Sequence, residues 1–205
     1  MKGPDLSLTK IEMSAQPGVV SFFYYIFQRG FIFPCNVETS IEDLLLRQMV
    51  LDRAFVEEKV STVFLDGRCV DDIASAILKN GSVVALSSAM PGLAGATMRR
   101  KGIYSCLRES IAYADKEEKD AIKEGLITIK LFNLLMTDLG RRFLEKGIIL
   151  PASDIMALFS PDNDGFWMHV DSVKLRGRPV SREEFTGNAL PGHNMPAFYL
   201  CRILT

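Results

Sequence analysis

The sequence is poor in the residues that build metal, redox and nucleic-acid sites. It has two histidines, four cysteines and one tryptophan in 205 residues, and no cysteine pair forms a CxxC motif. These residues therefore predict no metal site and no cofactor. Lysine plus arginine number 24 against 25 aspartates plus glutamates, so the net charge is −1. This balance argues against a nucleic-acid partner, because such proteins bind phosphates through many cations.

Long apolar runs are also absent. The most apolar stretch, residues 19–27, ends at Gln28 and Arg29, well short of the roughly 20 residues that a membrane span needs. We therefore expect no membrane partner. The N-terminal residues lack an apolar signal core, and the four cysteines stand far apart, which predicts buried thiols in a reducing, cytoplasmic location. A content of 48% apolar and 24% charged residues excludes a disordered chain.

Local signals predict a chain that mixes helices and strands. Ser40 begins the clearest predicted helix, which extends to about Phe55 with Asp43 at the capping-box position. Residues 60–65 predict a strand, and Asp66-Gly67 after it is a strong hairpin signal. The segment 19–29 is compatible with either helix or strand. Further strands are predicted at 6–13, 31–33, 82–88, 126–132, 166–175 and 197–204, and further helices at 96–124, 138–146 and 153–159.

The sequence contains an internal similarity. Residues 60–70 and 170–180 share the pattern V-x-x-V-x-L-x-G-R-x-V, and residues 30–34 resemble residues 147–151 in the same order along the chain. Each copy of the second pair is followed by a serine that can cap a helix. We therefore predict a duplication, with repeat units at 1–95 and 125–205 and a basic helical connector at 96–124. The two halves would fold separately or pack as one domain.

Part of the first half resembles a known family. The order is a capped helix, then Val63-Phe64-Leu65-Asp66-Gly67-Arg68, then Lys79-Asn80-Gly81-Ser82-Val83-Val84-Ala85-Leu86 and a glycine-containing end at Gly92. Residues 39–92 resemble the second half of the ubiquitin-type β-grasp sulfur carriers. Those carriers end in an activated diglycine, whereas Gly92-Leu93-Ala94-Gly95 has none and is followed by the second half of the chain. The resemblance thus implies a fold and a tendency to bind partners, and it implies no activity.

The expected fold class is accordingly α/β or α+β. Two related halves with mixed β-sheets, of β-grasp-like or similar α/β sandwich type, would be joined by a helical segment.

The loop at residues 91–102 is the first candidate site. Gly92 and Gly95 allow close backbone approach, and Arg99 and Arg100 could fork onto a phosphate or carboxylate at the start of a helix. The pattern is neither a Walker A nor a dinucleotide motif. A linker with a basic beginning would have the same composition, and the sequence does not decide between the two.

His169 and Asp171 form the second candidate site. They lie two residues apart on the predicted strand at 166–175, so their side chains would share a face as a base and its orienting carboxylate. An exposed sheet face would have the same pattern, and no third partner is identifiable. The nearby segment 160–165 is similar to a calcium loop, but Pro161 and the absence of a final glutamate favour a tight turn.

The best functional prediction from the sequence is a non-catalytic binding or scaffold protein, because no catalytic motif is recognisable. The alternative is a protein or enzyme that binds an anionic small molecule near the 91–102 loop. The aromatic run at residues 22–27 adds a homodimer as a further partner to test, since such runs also occur at subunit interfaces.

Overall fold

The computed structural model describes residues 8–88, 98–100, 122–186 and 198–204, and it shows an α+β protein. The chain divides into two compact units. The first unit combines Met1–Ile26 with Leu139–Thr205, and the second unit is the continuous stretch Phe27–Asp138. The first strand of the chain pairs with strands from its C-terminal part, which brings the two ends of the sequence into one unit. The repeat units at 1–95 and 125–205 remain a prediction.

The described residues form ten strands. They are β1 (Thr9–Ala15), β2 (Phe31–Val37), β3 (Thr62–Leu65), β4 (Arg68–Cys69), β5 (Val83–Ser87), β6 (Lys123–Phe132), β7 (Ile148–Pro151), β8 (Val170–Leu175), β9 (Arg178–Val180) and β10 (Phe198–Leu204). The second unit has the strand order β4-β3-β5-β6-β2, and the first unit has the order β7-β10-β1-β8-β9. Each unit contains both parallel and antiparallel strand pairs, and this mixed sheet with its helices confirms the expected α/β or α+β class.

The other described secondary-structure elements are helices. A 3-10 helix (Pro17–Phe23) leads into α1 (Tyr24–Arg29), and α2 (Ile41–Asp43) continues as a π-helix (Leu44–Gln48) before α3 (Arg53–Lys59). The later helices are α4 (Leu135–Asp138), α5 (Gly140–Lys146), α6 (Ala152–Leu158), α7 (Asp164–Trp167) and α8 (Arg182–Glu184). No helix formed by the described residues is long and apolar enough to cross a membrane.

The core of each unit lies along its central parallel strand pair. In the second unit Val84 and Leu86 of β5 stand opposite Ile129 and Leu131 of β6, and all four side chains are fully buried. In the first unit β1 runs parallel to β10, with Ile11 opposite Cys201, and both are fully buried. All other strand pairs described within the two units are antiparallel.

The two units share one pattern of strand pairing. Read from the hairpin end, each has two antiparallel pairs, one parallel pair and one antiparallel pair. The hairpin turns also match: Asp66 and Gly67 have φ angles of 50° and 81°, and Arg176 and Gly177 have 52° and 80°. Two consecutive positive φ angles define the turn type that suits a two-residue hairpin, and glycine adopts them without strain. The hairpin predicted at Asp66-Gly67 is thus confirmed, and Arg176-Gly177 forms a second turn of the same type.

The predicted helix from Ser40 to about Phe55 is correct at its start and wrong in its extent. The Ser40 hydroxyl accepts a hydrogen bond from the Asp43 amide at 3.1 Å, as the capping signal predicts. The helix ends after Gln48, where the chain turns so that the Leu51 amide donates a hydrogen bond to the Leu45 carbonyl at 3.0 Å. In this turn the Leu51 side chain is buried. A new helix, α3, then begins after Asp52.

The structure also answers or leaves open the predictions at residues 166–175, 19–29 and 96–124. The strand expected from residue 166 begins only at Val170, because the Asn163 side chain caps α7 by accepting from the Phe166 amide. The undecided segment at 19–29 is helical. In its aromatic run Phe23 and Phe27 are fully buried, whereas Tyr25 is 70% exposed. Most of the predicted helix at 96–124 lies outside the described residues.

Candidate functional site

The residues singled out from the sequence fall in different parts of the molecule. Arg99 and Arg100 belong to the second unit, whereas His169 and Asp171 belong to the first. Gly92 and Gly95 lie outside the described residues. Each pair of described residues is therefore considered with the contacts of its own unit.

Arg100 binds the end of helix α3. Its guanidinium donates to the Val60 carbonyl at 2.7 and 3.1 Å and to the Val56 carbonyl at 3.1 Å. Its backbone amide donates to the Ser61 carbonyl at 2.8 Å. The Val56 carbonyl also accepts from the Val60 amide at 3.3 Å, so the Arg100 guanidinium adds a charged donor to the last turn of α3 and to the Val60 carbonyl beyond it. A cation at this end of a helix interacts favourably with the helix dipole. The guanidinium predicted to hold an anion is instead engaged with backbone oxygens.

The electrostatic surroundings of Arg100 agree with that structural role. Burial lowers the pKa of the Arg100 guanidinium, while the carboxylates of Glu57 and Asp71 act in the opposite direction. The nearby Cys69 thiol donates to the Met98 carbonyl at 3.3 Å. Residues 98–100 are thus fixed against α3 and β4 by hydrogen bonds on both sides.

Arg99 and Arg100 line a cavity in the second unit. The cavity has a volume of about 410 Å³, and helices α2 and α3, the π-helix and residues 71–73 form its other walls. Leu46 supplies accessible apolar surface, while Val56, Val60 and Ile73 are buried in the wall behind it. A cavity of this volume has the dimensions of a small-ligand site, and its lining is mainly charged and polar.

A second cavity lies beside the first. It has a volume of about 380 Å³ and is lined by residues 38–40, 42–43, 46–47 and 53, together with Ala74 and Ile122. Glu42, Leu46 and Arg53 line both cavities. Because the two share these three wall residues, we treat them as one feature, which is called the groove from here on.

An ion pair stands in the shared wall of the groove. The Arg53 guanidinium lies 2.8 Å from the Glu42 carboxylate, and the Arg53 side chain is 62% exposed. In α2 and the π-helix that continues it, the Arg47 guanidinium lies 3.2 Å from the Asp43 carboxylate. Exposed ion pairs of this kind contribute about 1 kcal/mol or less. They can therefore open when a charged ligand offers a replacement partner.

The groove carries an excess of negative charge among its described residues. Six carboxylates line it against four guanidinium groups. The acids are Glu38, Glu42, Asp43, Glu57, Asp71 and Asp72, and the bases are Arg47, Arg53, Arg99 and Arg100. This balance does not favour the anionic ligand expected from the 91–102 loop.

The helix that forms the groove wall has unusual backbone geometry. Leu44–Gln48 is a π-helix, a form that occurs mostly as single turns and often at functional sites. Two residues later Val50 has a φ angle of 55°, although β-branched residues rarely adopt the left-handed region. Strain of this kind is retained where the surrounding structure imposes it, and it is concentrated at binding and catalytic sites.

His169 packs as a structural side chain in the first unit. Its ring lies against Gly18, where an added Cβ would come within 2.6 Å of Cε1, and its centroid is 5.9 Å from that of Phe22. Its backbone carbonyl accepts from the Gln16 amide at 2.8 Å. The Nδ1 atom is buried and has no hydrogen-bond partner in the part of the chain that the structure describes.

Asp171 does not act on His169. It is exposed, and no hydrogen bond or ion pair joins the two side chains. The shared face predicted from their spacing requires a regular strand, but His169 precedes β8. The register of β1 against β8 also shifts at this point, with Ser14 opposite Ser172 and Ala15 opposite Val170.

The segment at 160–165 is a tight turn, as its proline favours, and its last two residues begin α7. Pro161 and Asp162 form the turn, and the Trp167 indole donates to the Ser160 carbonyl at 3.0 Å. The Asp164 carboxylate pairs with Arg182, whose guanidinium also lies 5.5 Å above the Trp167 ring. Among the described residues, no group of three or more His, Cys, Asp or Glu side chains is arranged to hold a metal.

Sequence reasoning found one edge of the groove and missed the rest. Arg99 and Arg100 were identified from the loop, but the Glu42, Leu46 and Arg53 wall was interpreted as part of an ordinary helix. Only the charged residues between its apolar positions could have indicated an open face. Comparison of the chain with protein-family models, with curated proteins and with solved structures found no match.

Proposed function

We propose that this protein is a non-catalytic binding protein whose ligand occupies the groove of the second unit. The observation that supports this most strongly is the pair of adjoining cavities, of about 410 and 380 Å³, which share Glu42, Leu46 and Arg53. Concave sites of this size are the usual form of binding sites, and the ten charged side chains of this one would set the charge of its ligand.

The chemistry of the lining supports binding rather than catalysis. The polar groups on the described walls are carboxylates, guanidinium groups and the hydroxyls of Thr39, Ser40 and Ser61. The Ser40 hydroxyl is engaged in capping α2, and the Thr39 hydroxyl donates to the Asn36 carbonyl. The Arg53–Glu42 pair offers a ligand one charge of each sign at the centre of the groove.

Filling the groove tests the proposal. Leu46 lines both cavities and is only half-buried, so Leu46→Trp should occlude both without disrupting the core. Ala74→Trp, at an exposed position beside the second cavity, is an independent filling variant. Met156→Trp in the first unit, at a side chain that is 54% exposed, is the matched control.

The measurement is binding of the full-length wild type and these variants to immobilised peptide and metabolite libraries, with folding checked by thermal unfolding. We expect a set of binders that the wild type and Met156→Trp retain and that both filling variants lose. If every binder of the wild type is held equally by Leu46→Trp and Ala74→Trp, the groove is not the site and the proposal fails.

A further inference from the structure

We propose that the groove takes a basic peptide segment, in which lysines or arginines stand among apolar side chains. This inference rests on the proposed function, because it names the ligand class of the same site. It replaces the anionic small molecule expected from the sequence.

The charge distribution along the groove is the first argument. Two of its four arginines are engaged with neighbouring carboxylates, since Arg53 pairs with Glu42 and Arg47 with Asp43. The Arg100 guanidinium donates hydrogen bonds to the backbone carbonyls of Val56 and Val60. Over the whole described lining, six carboxylates still stand against four guanidinium groups, and charge complementarity at an interface favours a partner of opposite sign.

The positions of these carboxylates are the second argument. Glu38 lines only the cavity that also contains Ile122, whereas Glu57 lines only the cavity that contains Val60. The acidic groups therefore stand in both cavities rather than at one point. A chain that crosses the shared wall can place a cation in each.

The apolar lining decides between a peptide and a simple polyamine. Leu46, which is half-buried, lies at the shared wall, and Ile122, which is 67% exposed, lies in the cavity that also contains Glu38. A polyamine would satisfy the carboxylates but leave this surface in water. A peptide whose apolar side chains alternate with cations would cover it, and burial of apolar area is the main favourable term in such contacts.

A paired peptide array tests the ligand class with the full-length protein. One set combines lysine or arginine with leucine, valine and serine, and its partner set has glutamate in place of each cation. We expect the wild type to bind the basic set, to prefer it to the acidic set, and to lose this binding in Leu46→Trp. Binding should weaken when salt is raised from about 0.05 M to about 0.3 M, because screening shortens the range of the attraction.

Charge-neutralising variants locate the interaction. Glu38→Gln and Glu57→Gln should each weaken binding of a basic peptide by about two- to fivefold, the usual effect of one exposed ion pair. Glu58→Gln, the next residue on α3 and outside the groove lining, is the matched control and should leave binding unchanged. Equal weakening in Glu57→Gln and Glu58→Gln would show only a general effect of net charge and would overturn the assignment.

The outcomes separate this inference from the proposed function. If acidic peptides or small molecules bind, and Leu46→Trp removes that binding, the groove is the site but the basic peptide is wrong. If spermidine competes for the groove as well as the basic peptides do, the apolar part of the argument is wrong. If no peptide or metabolite binding depends on Leu46 and Ala74, both proposals fail.

Discussion

At the scale of single residues, Arg100 and Val50 of the second unit differ from what their residue types predict. Arg100 looks like a surface cation in the sequence, yet it caps a helix end. Val50 is a β-branched residue in a conformation that favours glycine. Both can be tested by substitution, because the structure gives a definite reason for each.

Val50→Gly should stabilise the protein. The left-handed conformation costs an L-residue roughly 1–2 kcal/mol, and glycine avoids this cost while adding some entropy to the unfolded chain. Since the Val50 side chain is 65% exposed, little packing is lost. We expect the free energy of unfolding in urea to rise by about 1 kcal/mol. Val50→Ala retains the Cβ and should give no such gain; an equal gain would mean that strain at this position is not the cause.

Arg100→Met should destabilise the protein. The change retains most of the side-chain volume but leaves the Val56 and Val60 carbonyls without their charged donor, at a cost of about 2 kcal/mol. Arg68→Met, which removes an exposed arginine beside the hairpin turn, is the control and should cost less than about 0.5 kcal/mol. Chemical unfolding measures both, and similar values for the two variants would contradict the capping role.

The half-buried Cys35 and the fully buried Cys201 should react slowly. Burial raises the pKa of Cys35 and Cys201 to about 12, compared with 9.0 for a free thiol. Because the thiolate is the reactive form, alkylation at a pH of about 8 should be about a thousandfold slower in the folded than in the unfolded protein. The raised pKa also means that the stability from these thiols is complete below pH 9 and is lost as pH rises toward about 12. Peptide-resolved mass spectrometry of iodoacetamide labelling follows each site, and rapid labelling of Cys201 in the native protein would contradict its burial.

At the scale of secondary-structure elements, strand β1 completes the sheet of the first unit. It lies between β8 and β10, although more than half of the chain separates it from both in sequence. Its alternating pattern of buried and exposed residues places Ile11 and Met13 in the core. The first unit therefore depends on the N-terminal strand for its central pairing.

Ile11→Ala should reveal that dependence. Ile11 is fully buried, and removal of its side chain should lower the free energy of unfolding by about 3 kcal/mol through lost burial and a residual cavity. Lys10→Ala, at the neighbouring exposed position, should change it by less than about 0.5 kcal/mol. Urea unfolding monitored by Trp167 fluorescence reports directly on the first unit; an Ile11→Ala midpoint equal to that of Lys10→Ala would contradict the central position of β1.

The elements also show what sequence signals can predict. The Ser40 cap and the hairpin turn at Asp66-Gly67 are encoded locally, so both could be predicted from the sequence. The end of the helix after Gln48 was missed, because it depends on burial of Leu51 rather than on a glycine or proline. The helical start at Asp164 was missed as well, since Asn163 capping competes with a strand-like aromatic pattern.

At the scale of the whole molecule, the two units have the same order of parallel and antiparallel pairs. The predicted duplication remains a prediction, which this shared pattern supports. The β-grasp resemblance also remains a prediction. The site could be predicted only in part, because a groove is formed by segments that are distant in sequence. Arg99 and Arg100 meet Glu42, Arg53 and Asp72 there only through the fold.

The most direct test of the binding groove is chemical-shift mapping of the full-length protein during titration with a basic peptide from the array. The account predicts that shifts concentrate at residues 38–61, 71–74 and 99–100, and that Leu46→Trp abolishes them. Shifts centred in the first unit, or an unchanged spectrum in the wild type, would contradict it.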